Sequence, residues 1–230
     1  MRDFVGTPER LSALHASCLV RDRHRCVISR AFDQAEAIAR WRGPDPAADD
    51  DGEPFPDDED YQDLEVAHII PYVLAKVEQD GSIDEPRRAA IAILNMFDVG
   101  IAHLVKGPDM NRPYNAVTLN HSLHQLFGRY QIFFDRVPGA SPPAYRIDSF
   151  LPPALARRFP VTRTLFVHPT IDPPSKRLLA FHRAIAHILQ LSGAGDYLQN
   201  VLDDVEKKVV RENGSTPLGS LVTLGLLLSG

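Results

Sequence analysis

Cysteine is nearly absent: Cys18 and Cys26 are the only two in 230 residues. Two thiols cannot build a disulfide scaffold or a four-cysteine zinc knuckle, and their scarcity favours an intracellular, reducing location. Eight residues apart and without a CxxC partner, they read as core positions of a helix and a strand. Long apolar runs are also missing. The most apolar stretch, LGSLVTLGLLLSG at 218–230, is short and broken by glycine, so a buried terminal element or a tail is expected there, and no membrane partner. The first residues, MRDFVGTPERL, carry charge at once, so no signal peptide is expected. There is no internal repeat and no glycine loop with phosphate-binding spacing.

Positive charge is missing from one stretch. Between Asp45 and Asp63 stand ten acidic residues and no Lys or Arg. Without them, 25 basic residues face 20 acidic ones, and the formal balance moves from −5 to +5. The remainder is therefore mildly basic, which permits contact with a polyanion. The acidic run itself reads as a solvated, disordered insertion. The competing reading is an internal mimic of nucleic acid that screens a basic cleft.

Proline is plentiful, 19 residues with a cluster over 138–174, which favours an ordered, extended traverse with short elements. Elsewhere, periodicity predicts a helix from Pro8 to Leu19 with Thr7 as its N-cap, and a short strand around Cys26–Ile28. A helical or turn-like Phe32–Trp41 and a strand Leu64–Ile70 stopped by Pro71 follow. A bent helix is expected over Pro86–Lys106. Next come a short helix His121–Phe127, capped by Asn120 and closed at Gly128, and strands at 130–134, 145–147 and 164–167. Amphipathic helices are expected over Pro174–Leu191, with Leu178, Phe181, Ile185, Ile188 and Leu189 on its apolar side, and over Tyr197–Arg211. His182 and His187, five apart, read as ordinary helix residues.

Glu65–Tyr72 (EVAHIIPY) and Asn115–Phe134 (NAVTLNHSLHQLFGRYQIFF) hold a lone strand histidine, an asparagine and a histidine nine residues after it. Imidazole titrates near neutrality and can take a proton from water; a second, neutral imidazole can hold a cation; the two-sided amide of asparagine can tether a loop. Such residues on a hairpin and a helix would address one phosphate from two sides. Plain readings stand beside these: His68 as a hydrogen-bonded structural histidine, His124 packed between Leu123 and Phe127, and His121 as an exposed first-turn residue.

These stretches, with RDRHRCVIS at 21–29 and IDPPSKRLLAFHRAIAHILQLSGAGDY at 171–197, resemble the HNH endonuclease superfamily, and within it the fungal branch that carries AHIIP (Ala67–Pro71). The likeness covers most of the chain outside the acidic run. It implies an α+β fold: a ββα-metal (His-Me) finger embedded in a mostly helical domain with short β-hairpins. The implied organisation is an N-terminal helix and strand over 1–44, the acidic insertion 45–63, and the finger with inserted helices over 64–136. A proline-rich traverse with C-terminal helices follows over 137–210, then a tail over 211–230.

Carried over residue by residue, the resemblance makes His68 the general base, Asn115 the asparagine that pins the loop, and His124 the metal ligand on the helix. Two positions depart from the pattern. The residue before the base, commonly an Asp or His ligand, is Ala67, and the position four after the helix histidine is Gly128. His121, on the same helical face as His124, and Glu65 or Asp63, if the strand bends, are the residues able to supply further ligands to one Mg²⁺, Mn²⁺ or Zn²⁺ ion, the softer ions suiting imidazole better. Arg21, Arg25 and Arg129 are the cations expected to hold the DNA strand. Three functions remain open on this reading: a metal-dependent endonuclease acting on DNA, an inactive HNH fold kept for binding or regulation, and a pocket for metal-free histidine acid–base chemistry on a small molecule.

Overall fold

The computed structural model describes residues 8–44, 46–70, 100–101 and 107–192. The helices expected over Pro86–Lys106 and Tyr197–Arg211, the cap Thr7, and the apolar C-terminal stretch lie outside these residues, apart from Gly100 and Ile101. Helix α1 (Pro8–Arg21) presents Leu14 and Cys18 to a small cluster with Val66 and Ala116. The chain then turns through Arg23 and His24, both at positive φ. No strand forms at Cys26–Ile28. This segment is a turn whose backbone is spent on other partners: Cys26 N–H donates to Ala31 O and Val27 N–H to Thr118 O. Its apolar side chains are fully buried all the same, which explains its strand-like pattern.

Strand β1 (Phe32–Asp33) leads into helix α2 (Gln34–Trp41), where Asp33 accepts from Glu36 N–H at 2.8 Å as N-cap. Strand β2 (Tyr61–Gln62) runs parallel to β1. The acidic stretch between α2 and β2 differs from the disordered insertion expected. Over 46–63 it folds against the basic turn, with an Ala48–Pro54 bridge and Phe55 packed edge-on against Phe32, ring centroids 4.8 Å apart.

Strand β3 (Leu64–His68) pairs antiparallel with β4 (Ala116–Asn120), placing Glu65 opposite Leu119 and His68 opposite Ala116. Two 3₁₀ turns, Gly107–Asn111 and Pro113–Asn115, bring the chain into β4. Helix α3 (His121–Gly128) follows at once, with Asn120 Oδ1 accepting from Leu123 N–H at 2.9 Å. Gly128 is its last residue, but the left-handed position that closes it belongs to Tyr130 (φ 57°), where Tyr130 and Gln131 N–H donate to Phe127 and Leu126 O.

Strands β5 (Ile132–Arg136), β6 (Ala144–Ser149) and β7 (Val161–Thr164) form an antiparallel sheet, β7 lying earlier than its apolar pattern predicts. Leu165 is buried beyond its end. Helix α4 (Lys176–Ser192) packs on β5. It buries Leu178, Leu179, Phe181, His182 and Ala186, whereas Ile188 is exposed. One apolar core joins α3, the β3–β4 hairpin, the three-stranded sheet and α4 through Leu119, Leu123, Phe127, Phe134, Ile147 and Leu178. The described part is thus a mixed α+β structure of four helices and short sheets, rather than a mostly helical one.

Candidate active site on the β3–β4 hairpin and α3

The hairpin sets the site. β3 ends at His68 because its next two backbone donors leave the strand ladder: Ile69 N–H donates to Asn115 O at 2.8 Å, and Ile70 N–H to Asn115 Oδ1 at 3.0 Å. Asn115 is wholly buried, and its Nδ2 donates to Met110 O at 3.1 Å and Ile70 O at 3.4 Å. One amide therefore pins the end of β3 to the turn before β4, the loop-fixing role expected of it.

The His68 ring is half-buried and meets Asn111 Oδ1 through Nε2 at 3.1 Å. With Asn111 accepting, Nε2 carries the proton and the ring lone pair sits on Nδ1. Burial pushes the His68 pKa below the usual histidine value; the Asn111 bond pulls it back in part, and charge at His124 lowers it further. Asn111 did not stand out in the sequence, although the motif NRPYN places it four residues before Asn115, at the turn that faces His68.

On the other side, Glu65 gathers both helix histidines. His121 Nδ1 donates to Glu65 Oε1 at 2.7 Å and His124 Nδ1 to Oε2 at 2.5 Å, while Gln125 Nε2 donates to His121 Nε2 at 2.9 Å. Burial alone would raise the Glu65 carboxyl, but the two imidazoles hold it below its ordinary range. The three residues expected as metal ligands therefore converge, from β3 and from one face of α3. As placed they do not form a metal centre. Both carboxylate oxygens are engaged by imidazole N–H groups, Ala67 and Gly128 add no donor, and among the described residues no group of three His, Cys, Asp or Glu is arranged to hold a metal ion.

Two of the arginines expected on the DNA, Arg21 and Arg25, are employed elsewhere. Arg21 is buried, and all five of its N–H donors are used: two on Asp22 at 2.9 and 2.7 Å, and one each on Pro113 O, Ala116 O and Asp172 O at 2.7, 3.0 and 3.4 Å. It is a buttress beneath β4, not a phosphate ligand. Its partner Asp22, also buried, accepts from Thr118 N–H at 3.3 Å. Arg25 is held by Glu59 at 2.9 Å through both terminal nitrogens and by Asp49 at 3.3 Å. Arg129 caps α3, its N–H donating to Gln125 O, with its side chain half-buried. The neighbours Arg23 and His24 meet Asp51 and Asp50.

Cys18 and Cys26 are buried free thiols, and burial pushes Cys18 up to about 12. His182 is not an ordinary helix residue: it lies fully inside, stacked on Phe127 at 3.9 Å and on Tyr130 at 4.6 Å. Among the described residues no helix is long and apolar enough to cross a membrane.

Residues 26–135, which include Glu65, His68, Asn111, Asn115, His121 and His124, match the family model described as HNH endonuclease. No curated protein and no solved structure matches the chain. This stretch, from the buried turn after α1 to the end of β5, belongs to the HNH endonuclease superfamily.

Proposed function

We propose that this nuclease-like chain hydrolyses phosphodiester bonds in DNA, with the β3–β4–α3 unit serving as the ββα finger of its superfamily. The observation that carries the reading is His68: a half-buried imidazole at the strand end, hydrogen-bonded through Nε2 to Asn111 and held below the usual histidine pKa. A neutral imidazole is the form a general base requires. In the proposed step His68 takes a proton from water, the water oxygen bonds to phosphorus, and the bond from phosphorus to the leaving sugar oxygen breaks. Asn111 and Asn115 are positioning residues: the first orients the ring, the second fixes the strand end that carries it.

HNH nucleases typically use a divalent metal ion. The superfamily's use of a metal supports metal dependence here, although the described side chains as placed form no metal centre. A second reading is favoured by a specific observation. Glu65 clamps both helix histidines, and Ala67 and Gly128 offer no ligands, which suits an HNH scaffold that binds nucleic acid without cutting it.

Supercoiled plasmid, purified protein and the His68→Ala variant decide between them. The hydrolase reading expects nicking that added Mg²⁺, Mn²⁺ or Zn²⁺ supports, that a chelator stops, and that His68→Ala abolishes. Retardation of the plasmid without nicking under every metal condition would overturn it in favour of the binding protein.

A further inference from the structure

A cavity of about 560 Å³ opens between the 3₁₀ turns before β4, the three-stranded sheet and the start of α4. It lies within the size range of small-ligand pockets, roughly 300–1,000 Å³. Three aromatic residues line it, Tyr114, Tyr145 and Phe166, over a floor that includes Pro143 and Leu165. Phe166 already stacks with cations elsewhere: the Arg23 and Arg30 guanidinium carbons each sit 4.8 Å from its ring centroid. Two acidic residues of the lining, Asp109 and Asp172, pair with Arg112 at 3.9 and 3.0 Å, and Arg112 lies 5.3 Å over the Tyr114 ring.

That leaves the cations Arg136 and Lys176, which have no carboxylate partner among the described residues. Aromatic walls beside three cations and two carboxylates, a net single positive charge with Arg136 and Lys176 unpaired, suit a flat ring joined to an anion. We infer that this cavity takes a nucleotide, its base against Tyr114, Tyr145 and Phe166 and its phosphate at Arg136 and Lys176. Aromatic platforms accept any base, because every base has a π-face, and cations then follow the backbone. A double helix keeps its bases stacked inside, so the chemistry fits a free nucleotide or an unpaired nucleotide of a strand.

The cavity shares the NRPYN turn with the candidate active site: Asn111 meets His68, while Arg112 and Tyr114 line the cavity. An unpaired nucleotide held there would lie on the element that orients the base. Only the identity of the strand as substrate rests on the proposed hydrolase function; nucleotide binding itself does not.

The full chain carrying His68→Ala, titrated by calorimetry with dAMP and by anisotropy with a labelled single-stranded oligonucleotide, an abasic oligonucleotide of equal length and a duplex, tests the inference without cleavage. The base-containing single strand is expected to bind more tightly than the abasic one by roughly five- to 150-fold, the range for one stacked base. Lys176→Gln, an exposed position, and Val167→Trp, which fills the cavity from its exposed edge, are each expected to weaken binding while circular dichroism shows the fold retained. Binding of dAMP without the oligonucleotide would identify a free nucleotide as the source and keep the site. Equal affinity for abasic and base-containing strands, or indifference of all binding to Val167→Trp, would overturn it. A chain that fails to nick plasmid yet shows base-dependent, Val167-sensitive binding would retain the pocket and lose only the hydrolase reading.

Discussion

At the scale of single residues, a half-buried and a fully buried histidine serve different ends, and pH separates them. His68 is held below the ordinary histidine pKa by burial, so its neutral, proton-accepting form persists as pH falls through the usual histidine range. The acid limb of a nicking profile is therefore expected below pH 6.5, the ordinary histidine value. Asn111→Ala removes the hydrogen bond that draws the ring's pKa upward, so it should move that limb further down while reducing the rate. A limb above the ordinary value would contradict the assignment. His182 acts on stability instead. Its Nε2 donates to Phe127 O at 3.0 Å, its Nδ1 is buried without a partner, and burial lowers its pKa to about 4. Protonation is thus easier in the unfolded chain than in the folded one between pH 6.5 and about 4. The stability His182 contributes is complete above the unfolded value and is lost as pH falls through that window, on the order of 3 kcal/mol in all. His182→Phe should flatten urea-derived stability against pH over this range; an unchanged slope would refute the linkage.

At the scale of elements, Asn115 does for the hairpin what no apolar residue could. Asn115→Ala leaves the Ile70 N–H and the Met110 carbonyl buried without their partner, at a cost of roughly 2–4 kcal/mol in denaturant unfolding. A loss under 1 kcal/mol would show that the strand end holds itself. The elements legible from sequence were those whose signal is local. Asn120 before an apolar i, i+3, i+4 run set α3 and its cap, and the alternation of β3 up to a proline set the strand. His121 and His124 were legible as a pair because helix periodicity puts them on one face, whereas the choice of Glu65 over Asp63 as their carboxylate partner needed the strand in place. What was not legible depended on partners distant along the chain. Val27 is spent on Thr118, 91 residues away, so a strand-like pattern became a turn. Arg21 looked like a solvent cation, and only the return of residues 113–116 and 172 shows its five donors to be buried.

At the scale of the whole molecule, the mild positive balance outside 45–63 is largely cancelled in space by the run that creates the imbalance. Arg23 meets Asp51 at 2.5 Å, His24 meets Asp50 at 3.0 Å, Arg40 meets Asp50 at 3.2 Å, and Arg25 meets Glu59 at 2.9 Å. Phe55 pins the run through Phe32, and Asp49 folds it by accepting from Asp51 and Glu53 N–H. The carboxylates thus neutralise this basic face from within the same chain. Exposed and half-exposed pairs of this kind stabilise a fold by only about 0–1 kcal/mol each, so removing three carboxylates should leave the protein folded. The triple variant Asp50→Asn, Asp51→Asn, Glu59→Gln, with Asp49 kept for its turn, uncovers Arg23 and leaves Arg25 and Arg40 with one carboxylate each, Asp49 and Glu36. Each phosphate a freed guanidinium then meets adds about −0.9 to the slope of log affinity for duplex DNA against log salt, so the slope should steepen by roughly 1 to 3. Affinity at low salt should rise with it, and thermal melting should fall by a few degrees at most. A slope equal to that of the parent chain would mean that nucleic acid approaches from another side, and that the acidic run serves only to hold the turn after α1 in place.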